Sequence, residues 1–286
     1  MLNRRNNQVS IFGSTGYIGS NFCKYKEENN ESILKVKRND LRSKSDKILY
    51  MISTNHNYNV FDDPHLDINT NLNHLISVLE ENKNSCKEFN FLSSWFVYGN
   101  TDLPAKETSQ CNPTGFYSIT KKCAEDLLIS YCKTFNMNYR IIRLCNVYGS
   151  VDKNASSKKN ALHYLVEKVC KNEDVELYEN GDIIRDYMHV EDVCAAIDII
   201  LEKGRLNEIY NIGNGSPIRI KDLIETSVKI TKSKSNINSI EQPVFHKIVQ
   251  VKDMYLDNTK LETLGFKQKI EIRRGIELLC NQFKKT

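Results

Sequence analysis

The sequence predicts an α/β fold with a doubly wound parallel sheet and a smaller C-terminal lobe that is interleaved with it. Two observations predict this class. Up to about Gly149, short apolar runs alternate with stretches of helical periodicity, which is the order typical of parallel strands joined by helices. Past Gly149 the alternation loosens, and no repeat or low-complexity linker separates the two parts.

Composition and charge exclude several other classes of protein. Of the 286 residues, 40% are hydrophobic and 27% charged, and the net charge of +4 is small for this length. Basic runs such as residues 156–159 are short and lack interleaved aromatic residues, so we expect no nucleic-acid partner. Residues 1–8 lack the apolar segment of a signal peptide, and no stretch has the length of a membrane helix, so we expect a cytoplasmic protein without a membrane partner. The nine cysteines contain no Cys-x-x-Cys pair, which indicates free thiols and no metal site.

The first predicted strand, residues 9–12, leads into a glycine turn and then a helix. Three glycines follow the strand at three-residue intervals: Gly13, Gly16 and Gly19. Glycines permit a tight turn, a close approach of the backbone to a phosphate and close packing of the helix on the strand, and the helix N-terminus offers N–H groups to an anion. The stretch therefore predicts a dinucleotide site, to which we assign Gly13, Gly16, Tyr17, Ile18 and Gly19.

The later elements follow from the same patterns. In the first part, strands are predicted at residues 33–37, 47–52, 89–92 and 139–144, and helices at 72–79 and 116–134. In the second part, helices are predicted at residues 162–169, 190–203 and 220–231, and a strand at 209–212. Because strands and helices alternate, we expect parallel pairing.

Tyr117 and Lys121 lie four residues apart on a predicted helix, so their side chains share a face. An ammonium group in that position lowers the pKa of a phenol, which can then exchange a proton with a sugar or alcohol oxygen. Tyr164 and Lys168 have the same spacing, so the spacing alone is not specific. Tyr117 is distinguished by Ser94, which closes a strand at the carboxyl edge, where open α/β sheets bind ligands.

Motifs of one protein family recur along nearly the whole chain. They are the glycine turn, Ser93-Ser-Trp-Phe-Val-Tyr-Gly99, Tyr117-Ser-Ile-Thr-Lys121, Arg143-Leu-Cys-Asn-Val-Tyr-Gly149, the stretch from Asn180 to Val193 and the stretch from Asp257 to Phe266. Together they resemble the extended short-chain dehydrogenase/reductase family, in its nucleotide-sugar epimerase, dehydratase and reductase branch. The resemblance implies a Rossmann-type sheet, NAD or NADP as cofactor and a nucleotide-diphosphate sugar as substrate.

The resemblance also implies how the chain is divided. Residues 1–150 and about 189–213 are expected to form the NAD(P)-binding lobe. Residues about 151–188 and 214–286 are expected to form the nucleotide-sugar-binding lobe. Relatives commonly form homodimers through a contact that includes the helix of Tyr117, where Leu127, Leu128 and Tyr131 could serve either that contact or the monomer core.

The same resemblance assigns the catalytic roles. Tyr117 corresponds to the general acid/base, and Lys121 to its electrostatic partner, which in the family also holds the nicotinamide ribose. Ser94 corresponds to the residue that hydrogen-bonds the reacting oxygen of the sugar.

Substrate contacts are assigned in the same way. Asn146, Asn160 and Arg185 correspond to contacts with the substrate diphosphate, and Trp95 is expected to narrow the sugar pocket. Two simpler interpretations stay open. Arg185 could form a surface ion pair with the adjacent Asp186, and the apolar Trp95 could belong to the core.

The chain departs from the family at three places. Where dehydratases carry an Asp-Glu pair it has Trp95 and Phe96, so we expect no 4,6-dehydratase. After the second strand it reads Lys37-Arg-Asn-Asp40, whose positive charge suits the 2′-phosphate of NADP, although Asp40 could bind the ribose of NAD and a solvated strand end explains the charge equally well. Arg38 and Asp40 are therefore further candidate cofactor contacts, with a slight preference for NADP. Finally, the stretch between Arg38 and Ile48 is too short for the family's usual extra strand and helix.

These observations predict an NAD(P)-dependent nucleotide-sugar oxidoreductase that acts at C4, either a 4-epimerase or a 4-ketoreductase, in surface-polysaccharide sugar biosynthesis. The alternative is a non-catalytic dinucleotide sensor or scaffold on the same fold. The sequence identifies neither the sugar nor the nucleotide base.

Overall fold

The structure is a computed structural model that describes residues 8–152 and 155–284; residues 1–7, on which the signal-peptide prediction depends, lie outside it. The strands in this part of the chain are β1 (Ser10–Phe12), β2 (Leu34–Lys35), β3 (Lys47–Tyr50), β4 (Glu88–Ser94), β5 (Asn138–Leu144), β6 (Asn146–Tyr148), β7 (Val175–Tyr178), β8 (Ile184–Arg185), β9 (Tyr187–His189), β10 (Glu208–Ile212), β11 (Ile218–Arg219) and β12 (Ile237–Ile240). The α-helices are α1 (Tyr17–Glu28), α2 (Asn59–Asp62), α3 (His65–Ile68), α4 (His74–Asn82), α5 (Phe116–Thr134), α6 (Ala161–Cys170), α7 (Val190–Lys203), α8 (Ile220–Thr231), α9 (Val244–Val249), α10 (Thr259–Thr263) and α11 (Ile272–Phe283). Among the described residues, no helix combines the length and the apolar character needed to span a membrane.

Six strands form one sheet in the order β10-β5-β4-β3-β1-β2, and every neighbouring pair is parallel. The chain passes from β1 to β2 and then returns to the opposite side of β1, where β3, β4, β5 and β10 follow outward. A reversal of strand order of this kind defines a doubly wound, Rossmann-type sheet, and ligands bind outside the carboxyl ends of the strands beside it. The predicted fold class is confirmed.

The connection from β2 to β3 contains no helix and no further strand, so β2 is the edge of the sheet, as the short stretch after Arg38 predicted. Side chains of neighbouring elements hold the connection between β2 and β3 in place instead. Ser10 Oγ accepts from the backbone N–H of Lys44 (2.9 Å), and Asn82 Oδ1 accepts from that of Ser43 (2.7 Å). These bonds satisfy backbone groups that a crossover helix would have paired internally.

Alternate residues of the strands point to opposite faces of the sheet and enter different cores. Ile11 packs with α1 and α7, which contribute Phe22 and Ile197. Its neighbour Phe12 packs on the other face with α4 and α5, which contribute Leu79 among others. Full burial of one such side chain contributes about 1.5–3 kcal/mol, so the two faces hold the helices, and with them the site residues, against the sheet.

A third core lies outside the sheet and is formed by α6, α8 and α11. Its fully or almost fully buried members include Leu162, Val166, Leu223, Ile276 and Leu279. The parallel pair β7 and β12 lies beside it. This core supplies the wall that faces the carboxyl edge of the sheet.

The long helices confirm the sequence pattern, and one shorter helix departs from it. α5, α7 and α8 have the bounds that apolar periodicity predicted. The helix predicted at residues 72–79 instead begins with a π-helical turn, Asn69–Asn73, that runs into α4. In this wider turn Asn71 Nδ2 donates to the hydroxyls of Thr54 (2.8 Å) and Thr120 (3.0 Å). Side-chain bonds to distant segments therefore explain the departure, and π turns are frequent at functional sites.

Candidate active site

A cleft with a volume of about 660 Å³ lies between the carboxyl edge of the sheet and the third core. Its walls come from the turn after β1, the segment after β3, the end of β4, the start of α5, the segment before α6 and strand β7. This volume falls in the range of small-molecule sites, and the position matches the place where doubly wound sheets bind ligands.

The glycine turn forms one end of the cleft. Gly13 has a φ of +84°, which favours glycine, and a Cβ on Gly19 would lie 2.1 Å from the carbonyl oxygen of Gly13. Gly16 caps the N-terminus of the 12-residue helix α1, whose first turn carries no acidic side chain. The free N–H groups and partial positive charge of a helix N-terminus bind phosphate, so this end fits the diphosphate of a dinucleotide.

Tyr117 and Lys121, in the first turns of α5, both line the cleft and are almost fully buried. Lys121 Nζ donates to the carbonyl oxygen of Leu92 (2.8 Å) and lies 3.9 Å from the centroid of the Phe91 ring. Burial lowers the pKa of Lys121 to about 7, although Glu125 opposes the shift.

Burial raises the pKa of Tyr117 to about 12, and hydrogen bonding to Ser94 and Ser53 offsets part of the increase. The expectation that Lys121 lowers the pKa of the Tyr117 phenol is therefore wrong: the pKa is raised, and Lys121 is not among the causes of the shift. The ammonium group of Lys121 is bound to the Leu92 carbonyl, and its own charged form is disfavoured by burial. At neutral pH the phenol is protonated and can act as a proton donor.

The lowered pKa of Lys121 predicts a pH-dependent stability. Between pH 7 and the ordinary lysine value of 10.5 Lys121 binds more protons in the unfolded chain than in the folded one, so its contribution to the free energy of unfolding should rise with pH in this window. The contribution is at most about 1.4 kcal/mol per pH unit. In denaturant unfolding without added cofactor, Lys121→Met should lose this contribution. Lys122→Met, which removes a lysine paired with Asp126 on the same helix, should keep it, and parallel pH profiles for all three proteins would contradict the prediction.

Trp95 and Phe96 form an aromatic wall beside Ser94. Their rings stack with centroids 3.8 Å apart, and Phe96 meets Tyr117 edge-on at 5.7 Å. Trp95 is buried, and both residues line the cleft, so Trp95 belongs to the core and to the pocket at once. The guanidinium carbon of Arg185 lies 5.2 Å from the Trp95 ring centroid.

Arg185 is buried in the cleft wall, where burial lowers its pKa to about 10. Its guanidinium group donates to the carbonyl oxygens of Ile184 (2.8 Å), Lys252 (2.6 Å) and Val251 (2.7 Å). Asp186 is buried too, and its carboxylate accepts from backbone N–H groups, including that of Asn214 (2.9 Å). The surface ion pair between Arg185 and Asp186 is therefore excluded.

Asn146 and Asn160 line the cleft, as the family motifs led us to expect. Asn146 donates through both its backbone N–H (3.1 Å) and its side-chain Nδ2 (3.0 Å) to the carbonyl oxygen of Asp186. Asn160 precedes α6 in a left-handed conformation with a φ of 54°. Lys158 and Lys159 line the same wall, where Lys159 pairs with Asp152 (3.7 Å), so the net charge of these three side chains is positive and suits an anion.

Arg38 and Asp40 lie outside the residues that line the cleft. Lys37 and Arg38 are exposed in the turn after β2, and Asp40 Oδ1 accepts from the backbone N–H of Arg42 (3.1 Å). The structure thus leaves these two candidate cofactor residues after the edge strand β2 and does not bring them to the candidate catalytic residues.

Several cleft residues were not identified from the sequence. Ser53 follows β3 at the same carboxyl edge as Ser94, so the rule that found Ser94 could have found it. Tyr58 Oη lies 2.9 Å from His246 Nδ1 and joins the two walls of the cleft across 188 positions of sequence, a contact that no local pattern indicates. Tyr164 and Lys168, set aside as a chance spacing, line the cleft as well.

The chain matches a family model described as the NAD dependent epimerase/dehydratase family over residues 9–213. Two curated relatives illustrate the different activities named among similar proteins. The low-salt glycan biosynthesis protein Agl12 of Haloferax volcanii is 25% identical over 96% of this chain and 98% of its own length. A trifunctional UDP-glucose 4,6-dehydratase, epimerase and reductase of Arabidopsis thaliana is 28% identical over 67% of this chain and 28% of its own length.

Solved structures share the fold over nearly the whole chain. A UDP-glucose 4-epimerase of Thermotoga maritima, with UDP-glucose, superposes with a TM-score of 0.87 at 22% identity, covering 97% of this chain and 99% of its own. The protein RMD of Pseudomonas aeruginosa, complexed with NADPH, superposes with a TM-score of 0.85 at 19% identity, covering 98% and 99%. At these identities the likeness establishes a shared fold.

Proposed function

The chain belongs to the NAD dependent epimerase/dehydratase family, and from the geometry of its cleft we propose that it is an NAD(P)-dependent nucleotide-sugar oxidoreductase acting at C4 of the sugar. The observation that carries the proposal is the meeting of Ser94, Tyr117 and Lys121 in one cleft with a glycine turn that fits a dinucleotide. Family membership confirms the expected cofactor class, NAD or NADP. The choice between the two cofactors, the carbon atom and the direction of the reaction belong to the proposal.

The proposed chemistry divides between cofactor and protein. When bound at the glycine turn, the nicotinamide cofactor supplies or accepts a hydride. Tyr117 exchanges the proton of the sugar oxygen through its phenolic Oη, and the hydroxyl of Ser94 holds that oxygen by a hydrogen bond. Trp95 and Phe96 exclude water from this end of the cleft, since their stacked rings border Tyr117. Lys121 lies one helical turn from Tyr117 and is a candidate ligand for the cofactor ribose.

We propose that the enzyme does not dehydrate its substrate. Elimination of a hydroxyl group needs a carboxylic acid beside the catalytic serine or threonine to protonate it, and positions 95 and 96 carry aromatic rings instead. The relatives of the chain include a protein named as a 4,6-dehydratase, so they do not support this proposal. Its support comes from the residues at positions 95 and 96 alone.

Two activities use this machinery. A 4-ketoreductase needs a proton donor for the developing oxygen, and a 4-epimerase needs the same phenol first as a base and then as an acid. The exposed Lys37 and Arg38 after β2 suit the 2′-phosphate of NADP, the usual reductant, so we place the reductase with NADPH slightly ahead.

The deciding experiment is to purify the protein and assay its cofactor. Stoichiometric oxidation of added NADPH by a 4-keto sugar nucleotide would establish the reductase. Tightly retained NAD, with interconversion of two sugar nucleotides and no net cofactor turnover, would establish the epimerase. A protein that binds the dinucleotide and turns over neither class of substrate would be the sensor or scaffold.

We further propose a homodimer and a role in glycan assembly. Ile76 of α4 and both Ile119 and Leu127 of α5 are exposed and offer an apolar face for a second copy, whereas Leu128 is fully buried in the monomer core. The name of the Haloferax relative, a glycan biosynthesis protein, supports a role in surface-polysaccharide sugar synthesis.

A further inference from the structure

His163, on α6, is completely buried between segments that line both ends of the cleft. Its ring meets the ring of Tyr17, the residue after Gly16 of the glycine turn, edge-on with centroids 5.7 Å apart. Its Nε2 atom accepts from the backbone N–H of Gly149 (3.1 Å), and its Nδ1 atom lies 2.7 Å from the side-chain Nδ2 of Asn160 as that amide is placed. No sequence motif singled out this residue.

The contact with Gly149 determines the protonation of the His163 ring. A neutral imidazole has one donor nitrogen and one acceptor nitrogen, and a protonated imidazole has two donors. Because Nε2 accepts from Gly149, the ring is neutral and Nδ1 carries the proton. Burial agrees with this assignment, since it lowers the pKa of His163 to about 4.

The proton on Nδ1 in turn fixes the side chain of Asn160. A nitrogen that carries a proton cannot accept from the amide Nδ2, so the amide must be turned over, with its oxygen facing His163 Nδ1. The Nδ2 group then points to the opposite side of the amide. Asn160 lines the cleft, and the residues that the structure describes make no hydrogen bond to that opposite side of the amide.

We propose that His163 is a positioning residue that orients the Asn160 amide so that its Nδ2 group donates into the cleft, to an oxygen of the substrate diphosphate. This inference rests on the proposed function, because a nucleotide-diphosphate sugar supplies the anion. Lys158 and Lys159 on the same wall favour that anion, and the left-handed backbone of Asn160 holds its side chain at the cleft surface. Since His163 also contacts Gly149 and Tyr17, the same ring connects the substrate wall to the cofactor end.

Two matched substitutions separate positioning of Asn160 from a purely structural role. His163→Asn places an amide nitrogen near the position of Nδ1 and retains the donor to Asn160, but it loses the acceptor for Gly149. His163→Gln places an amide oxygen near the position of Nε2 and retains the acceptor for Gly149, but it loses the donor to Asn160. Both variants lose the ring contact with Tyr17, so this loss does not distinguish them.

The measurement is calorimetric binding to the wild-type protein and both variants, with UDP-glucose, dTDP-glucose and GDP-mannose as probes and NADPH as the cofactor control. For a probe that the wild type binds, His163→Gln should weaken binding about tenfold, the effect of one hydrogen bond to a charged group, and His163→Asn should restore most of it. NADPH affinity should change little in either variant. Equal probe affinity in all three proteins, or a greater loss in His163→Asn, would overturn the proposal.

Nitrogen NMR of the histidine rings tests the inference without any substrate. The resonances missing from His163→Asn identify His163, and in the wild type its proton should reside on Nδ1. A proton on Nε2 would overturn the inference whatever the function is. If the wild type binds none of the three probes, the proposed function and the diphosphate contact both fail, and the measured proton position shows whether His163 still orients Asn160.

Discussion

Tyr117→Phe should lower the turnover of a nucleotide-sugar substrate by about 10²–10⁴-fold, the range typical for a general acid or base. The phenolic oxygen is the group in this part of the cleft that the sequence motif, the burial and the contacts with Ser94 and Ser53 all indicate as the proton donor. Phenylalanine keeps the ring and its edge-on contact with Phe96, so the fold and the pocket shape should be retained.

The measurement is steady-state turnover with the substrate identified by the cofactor assay, beside fluorescence titration of NAD(P)H. Tyr25→Phe is the matched control, because it removes a phenol from α1 outside the cleft and should leave turnover unchanged. Unchanged turnover in Tyr117→Phe would reject the assignment of Tyr117 as the acid. Lost cofactor affinity in the same variant would mean that the Tyr117 hydroxyl holds the cofactor, and the fall in turnover would then not identify Tyr117 as the acid.

The pKa values of the candidate catalytic residues Tyr117 and Lys121 differ from those that their spacing alone predicted. The four-residue spacing places both side chains on one face of α5, as expected, yet that face is buried so deeply that the protonated phenol is strongly favoured and the ammonium group is disfavoured. Burial is a property of the packed protein. A sequence pattern shows which residues share a helix face, but the amount of water that reaches that face depends on β4 and on the segment after β3.

Local signals explain what could be predicted. The bounds of α5 and α7 follow from apolar periodicity, and α7 carries Glu191 and Asp192 in its first turn and Lys203 in its last, in agreement with its helix dipole. The glycine turn and Ser94 follow from residue types at strand ends. What could not be predicted depends on contacts between distant segments, such as the bond between Tyr58 and His246 and the π turn that presents Asn71 to Thr54 and Thr120.

Arg185 shows the same limit of sequence-based prediction. Its motif indicated either a diphosphate contact or a surface ion pair, and neither alternative anticipated that three backbone carbonyls hold the guanidinium group. Two of these carbonyls belong to Val251 and Lys252, about 66 residues away along the chain, so no spacing rule relates them to Arg185. The structure thus adds a stabilising role that is compatible with a substrate contact, because three of the five guanidinium N–H groups are used.

Arg185→Ala should therefore lower the free energy of unfolding by roughly 3–5 kcal/mol, measured by denaturant titration without ligands. The substitution leaves buried carbonyl groups without their charged donor and removes the stacking on Trp95. Arg219→Ala is the matched control: Arg219 lies on β11, which pairs with β8, but its side chain is 50% exposed and bonds Asp222, so the change should be within about 0.5 kcal/mol. Equal stability of the two variants would contradict the stabilising role of the bonds between Arg185 and the three backbone carbonyls.

Arg185→Ala also distinguishes the stabilising role of Arg185 from its proposed contact with the substrate. In the fraction of Arg185→Ala that remains folded, the affinity for the nucleotide sugar should fall about tenfold while NAD(P)H affinity is retained, because Arg185 lines the cleft and the backbone carbonyls use only three of its five N–H groups. Unchanged nucleotide-sugar affinity, together with lost stability, would assign Arg185 to the structure alone. The diphosphate would then depend on Asn146, Asn160 and the lysines that precede α6, which is the wall that His163 is proposed to organise.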